Sequence, residues 1–120
     1  MDKVNKPQFS GSILSLPSKE IDLRHPILDV VEVDNIYVVM FNWSSEHLNE
    51  RNVFGFSTAG DTLWRIAKPP FTLEPGDTEV YSNIAADEHR IRAYCTAGYF
   101  VWVSLKDGSV EMIPNQGRLW

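Results

Sequence analysis

A chain of 120 residues, 43% hydrophobic and 22% charged, has the size and composition of one globular domain and not those of a disordered segment. Sixteen acidic residues against eleven basic ones give a formal net charge of −5, a field that disfavours nucleic acid and anionic membranes as partners. One cysteine leaves no intrachain disulfide and no multi-cysteine zinc site, which points to a reducing compartment.

Residues 1–20 hold four serines, Pro7, Pro17 and Gly11 without a sustained period, and read as a flexible arm ahead of a single domain over 21–120. Lys3 and Lys6 have no apolar run behind them, and Ile13–Leu16 is too short for a signal segment. No stretch approaches the ~18 apolar residues of a membrane span. The expectation is a soluble, cytoplasmic protein.

The first strand is predicted at Ile27–Val33, behind a proline that disfavours helix before it. Asp34-Asn35 has the side-chain chemistry of a tight turn, and Ile36–Phe41 follows as an unbroken β-branched and aromatic run, suited to a strand covered on both faces. The polar stretch 42–52 reads as a loop in which Ser44 caps one helical turn through Glu46, His47 and Leu48. Val53–Ser57 and Thr62–Ile66 form a hairpin about Thr58–Asp61, and the Pro69-Pro70 pair ends it. After a connector over 67–77, Glu79–Ala85 and His89–Thr96 are predicted as strands. In the second of these Ile91, Ala93 and Cys95 alternate against Arg90, Arg92 and Tyr94. Tyr99–Leu105 and Ser109–Ile113 close the chain as a hairpin whose loop, Lys106-Asp107-Gly108, places glycine where a positive φ is needed.

The two halves overlay as a repeat, 27–66 on 79–113. Val30–Asp34 lies over Asn83–Asp87, and Phe54–Ser57 over Val101–Ser104, with the 42–52 loop shrinking to Ala97-Gly98. Each copy is a four-stranded antiparallel meander, so the expected class is all-β, two meanders packed as a sandwich or partial propeller with at most one helical turn. The run Val53–Trp64, with Gly60 in the hairpin and Trp64 four residues later, resembles the blade repeat of quinoprotein-type β-propellers. The chain is similar to small bacterial proteins of unassigned function that carry two such meanders. The second copy keeps Gly108 but has Glu111 or Met112 where the tryptophan would stand. That family's cofactor residues do not transfer, because two blades cannot enclose a channel.

Chemistry has little signature. His25, His47 and His89 sit at no metal-binding spacing. Asp29, Glu32 and Asp34 suit the polar face of a strand better than an acid/base pair, Cys95 shares the apolar phase of its strand, and no nucleophile elbow is present. No enzymatic activity, cofactor or metal is expected. The four tryptophans are the richest feature. Trp64 and Trp102, mid-strand, suit core or sheet-face packing. Trp43 at a loop start and Trp120 at the terminus are the candidates for a partner contact, joined by Arg90, Arg92 and Tyr94. The resulting expectation is a protein-binding module, immunity- or inhibitor-like, acting on another protein or assembling as a homodimer through sheet edges. The alternative is a small-molecule pocket between the sheets or at a dimer seam, lined by Tyr94, Tyr99 and Trp102.

Overall fold

A computed structural model describes residues 7–43, 50–70, 80–87, 89–96 and 98–114. Eleven strands and no helix are found among them, so none of these residues forms a helix long and apolar enough to cross a membrane. The strands build three antiparallel sheets. The first holds β1 (Phe9–Ser10), β2 (Ile13–Ser15) and β3 (Glu20–Asp22). The second is a meander of β4 (Ile27–Val33), β5 (Ile36–Phe41), β6 (Val53–Phe56) and β7 (Thr62–Arg65), and the third a meander of β8 (Tyr81–Asp87), β9 (Arg90–Cys95), β10 (Tyr99–Val103) and β11 (Val110–Met112).

The all-β class and the two four-stranded meanders are as expected. The β4–β5 turn is tight because Asp34 and Asn35 both take positive φ, 52° and 66°, the geometry a two-residue hairpin needs. Ser44, with the helical turn predicted after it, and Trp120 lie outside the described residues. The predicted strand at 79–85 lies at Tyr81–Asp87 instead, which shifts the overlay of the two copies by one residue. The last pairs before the two turns are Val33 with Ile36 and Asp87 with Arg90, so Asp87 stands in the place of Val33, not of Asp34.

The arm is the main correction. Residues 9–22 form a sheet, in which Phe9 pairs with Leu14 and Leu14 with Ile21. Leu14 is completely buried, and with Leu16 it packs on Val30, Tyr37, Val39, Phe41 and Phe56 of the middle sheet. The opposite face of that sheet, through Val31, Val38, Met40, Val53 and Trp64, shares a second core with Ile84, Ile91, Ala93, Cys95, Val101 and Val103 of the third. The middle sheet is therefore covered on both faces. That is why Ile36–Phe41 shows no polar alternation: facing residues of both parities are buried. The first strands of the three sheets are neighbours, β1 against β4 and β4 against β8.

Two features lock the second and third sheets together. The indole of Trp64 donates to Leu105 O at 2.8 Å, and its ring lies over Gly55 on one side and beside Gly108 on the other. A Cβ at Gly55 would stand 2.3 Å from Trp64 Cε2, so the close approach requires glycine. Gly108 combines a φ of 77° with a Cβ position 2.7 Å from the same ring. The Gly55→Ala variant is expected to lose about 2 kcal/mol from overpacking. Denaturant unfolding followed by tryptophan emission measures it, and a loss near zero would mean that the ring is free to move away.

The second lock is Asn52, the one fully buried polar side chain among the described residues. Its amide donates to Phe41 O at 2.8 Å and to Tyr81 O at 2.9 Å, while its carbonyl accepts from Tyr81 N–H at 2.8 Å. The side chain thereby imitates a strand, joining the end of β5 to the start of β8. Tyr81, itself buried, donates its hydroxyl to Ala67 O at 3.0 Å.

Candidate functional site

The alternation along β9 puts Ile91, Ala93 and Cys95 into the core and leaves Arg90, Arg92 and Tyr94 on the outer face of the third sheet. On β10 the same parity turns Phe100 and Trp102 outward and Val101 and Val103 inward. Register then brings the two outward sets together. Tyr94 faces Phe100, and Arg92 faces Trp102, which in turn faces Glu111 on β11. On the other side of β9, Asn83, Ala85 and Asp87 complete the rows.

The contacts within this face run diagonally as well as across. The Arg90 guanidinium lies 3.7 Å from the Trp102 ring centroid, and that of Arg92 lies 5.3 Å from Phe100. The Tyr94 and Phe100 rings meet at 4.8 Å. A cation over an aromatic ring at an exposed position contributes about 0.5–1 kcal/mol, so this stack is not what holds the fold. Arg90, Arg92 and Phe100 are exposed, and Trp102 and Tyr94 are half-buried by their neighbours on the same face. At one end, a groove of about 410 Å³ runs between His89, Arg90, Trp102 and Glu111. Arg90, Arg92, Tyr94 and Trp102, singled out from the sequence, are thus brought together.

Tyr99 is not. It stands three residues before Trp102 on one strand, an odd spacing that sends the two side chains to opposite faces, and it faces Cys95. Within one chain, therefore, Tyr99 does not share the face that carries Tyr94 and Trp102. The space between the second and third sheets is filled by apolar side chains. Trp43 is exposed where β5 ends, on the middle sheet's chain and not among the third-sheet residues.

The carboxylates predicted on β4 are also separated. Asp29 accepts from Val30 N–H at 2.9 Å next to a bulge in the β4–β5 register. Asp34 lies in the turn and meets His89 Nδ1 at 2.9 Å, joining the β4–β5 and β8–β9 hairpin tips. Both partners are exposed, so the pair contributes at most about 1 kcal/mol. Cys95 is buried and forms no disulfide. Among the described residues no three His, Cys, Asp or Glu side chains gather as a metal ion would require.

A second concavity, of about 470 Å³, lies where the first sheet meets the middle one, between Arg24, His25, Phe54 and Asp61. Sequence reasoning missed it because it needs the first sheet. On this sheet Asp22 accepts from Ser12 Oγ at 2.7 Å and from Arg24 N–H at 2.8 Å. Those two bonds hold its carboxyl below the ordinary carboxylate range, the Ser12 hydroxyl having the larger effect, so Asp22 is anionic at neutral pH.

Comparison with curated proteins and with solved structures found no match. The sequence profile of a domain of unknown function, DUF7957, matches residues 4–114, and the chain belongs to that family.

Proposed function

We propose that this member of the DUF7957 family is a non-enzymatic protein-docking module of the cytoplasm, and that the outer face of its C-terminal sheet is the docking surface. The supporting observation is a comparison of two rows of residues. In the middle sheet Val31, Val38, Gly55 and Trp64 lie side by side and are covered by the third sheet. The equivalent row of the third sheet is Ala85, Arg92, Trp102 and Glu111, turned to solvent. One face is a core and its counterpart is rich in arginine and aromatic rings, the composition of protein-interface anchors. The row comparison is also what favours kinship with propeller blades, since it makes each meander a unit with one face for each neighbour.

The test is affinity capture from cells that express the protein. Tagged wild type and a Leu63→Ser control, altered at an exposed position of the middle sheet, are expected to retain a common protein that Arg92→Glu/Trp102→Ser loses. Equal retention by all three, with all three folded by circular dichroism, would remove the docking reading.

A further inference from the structure

The cavity between the first and middle sheets plays no part in docking at the C-terminal sheet. It exists because the first sheet has three short strands and packs on a sheet of four. A space of about 470 Å³ is left between residues 19–25 and the β6–β7 hairpin, within the ~300–1,000 Å³ of small-molecule sites. Phe41 and Phe56, both buried, and the half-buried Phe54 line it. Their rings run on from one another. His25 meets Phe41 edge-on at 5.8 Å between centroids, Phe41 meets Phe54 edge-on at 5.5 Å, and Phe54 stacks with Phe56 at 6.2 Å. Such a wall receives a flat apolar group, which finds both edge and face positions along it.

The charged groups of the cavity stand at its mouth. Lys19, Asp22, Arg24 and Asp61 line it and are exposed. Two are cations and two are anions, so a ligand with one sign of charge is attracted by one pair and repelled by the other. A ligand that carries both signs close together satisfies both pairs. The mouth is also fixed in shape on one side. Asp22 Oδ1 accepts from Ser12 Oγ at 2.7 Å and from Arg24 N–H at 2.8 Å, which keeps Asp22 ionised. Arg24 itself has a φ of 69°, in the left-handed region that a residue other than glycine seldom takes. Backbone strain of this kind gathers at sites that hold a ligand.

We propose that this cavity binds a free α-amino acid with an aromatic side chain. The ring lies against Phe41, Phe54 and Phe56, the carboxylate is met by Lys19 and Arg24, and the ammonium group by Asp61. Asp22 acts as a positioning residue, holding the Arg24 backbone. The site is distinct from the outer face of the C-terminal sheet, and the two readings stand or fall separately.

Amide NMR of the full chain, titrated with L-phenylalanine at neutral pH, tests it. Saturable shifts are expected at residues 21–25 and 54–62, with a dissociation constant of about 1 mM or below. Two probes each lack one charge: 3-phenylpropionate has no ammonium group and 2-phenylethylamine no carboxylate. Both are expected to bind at least threefold more weakly than L-phenylalanine. Lys19→Gln/Arg24→Gln is expected to weaken L-phenylalanine by a similar factor and to leave 2-phenylethylamine unchanged. Asp61→Asn is expected to weaken L-phenylalanine and to leave 3-phenylpropionate unchanged. All of these substitutions are at exposed positions, and the amide spectra themselves report whether each variant is folded. Absence of saturable shifts up to about 10 mM, well above the affinity such a site supplies, overturns the proposal. So does equal binding of all three probes by wild type, which would leave an aromatic slot indifferent to charge. Glycine that binds as well as L-phenylalanine would remove the aromatic wall from the site and overturn it too. The Arg92→Glu/Trp102→Ser variant is expected to bind L-phenylalanine as wild type does, and loss of binding there would place the ligand on the other sheet and overturn the assignment.

Discussion

Replacing Asn52 with leucine is expected to lower the stability of the fold by about 4 kcal/mol, a large share of the 5–15 kcal/mol typical of a domain. Leucine has the same number and branching of side-chain heavy atoms and a somewhat larger volume, so the loss is not a cavity. It arises because Phe41 O, Tyr81 O and Tyr81 N–H lose the partner each now has, inside a region from which water is excluded. Each buried group left without a partner costs about 1–3 kcal/mol. The Asn52→Ala variant is expected to lose less if a water enters the space and restores two of the bonds. Asn52→Asp separates donor from acceptor. One oxygen still accepts from Tyr81 N–H, but the other now faces two carbonyl oxygens, which favours the protonated acid and raises its pKa in the folded state. A raised folded pKa gives stability that is present below the unfolded value and lost as pH rises through the folded one. Urea midpoints at neutral and acid pH should therefore show Asn52→Asp gaining on Asn52→Leu as pH falls. Parallel midpoints at all pH values would mean that Asn52 is not the joint between the two sheets.

The contrast between Asn52 and the hairpins shows which kinds of information the sequence holds locally. Asp34-Asn35 and Gly108 are legible because a positive φ selects for particular residues at a single site. The wet face of β9 is legible because Arg90, Arg92 and Tyr94 alternate with Ile91, Ala93 and Cys95. Asn52 is not, because a polar residue after a polar loop looks solvated, and one of its partners, Tyr81, lies 29 residues away. Parity could have separated Tyr99 from Trp102, since three residues along a strand always reverse the face. The missing tryptophan of the second copy has a physical reason that appears with the register. Trp64 fills the space between two sheets above Gly55, whereas the equivalent positions of the third sheet, Glu111 and Trp102, face away from the core. The first sheet was illegible for yet another reason. Strands of two and three residues give no measurable period, and their stability comes from docking, not from their own pattern.

That dependence on docking makes Leu14→Ala the second large effect, an expected loss of about 3 kcal/mol. Leu14 sits in a three-residue strand among serines, the composition of a mobile lead, yet it is fully buried and meets Val30, Val39 and Phe41 through one shared core. Removing its side chain leaves a void that the short strands can close in part only, since β2 is tied on both sides, to β1 and to β3. The comparison is Leu63→Ala, which truncates an exposed leucine on β7 and is expected to change stability by less than about 0.5 kcal/mol. A Leu14→Ala loss as small as that would return residues 9–22 to the status of an arm. A loss near 3 kcal/mol would make the first sheet an integral layer of the fold, held by the core it shares with the middle sheet.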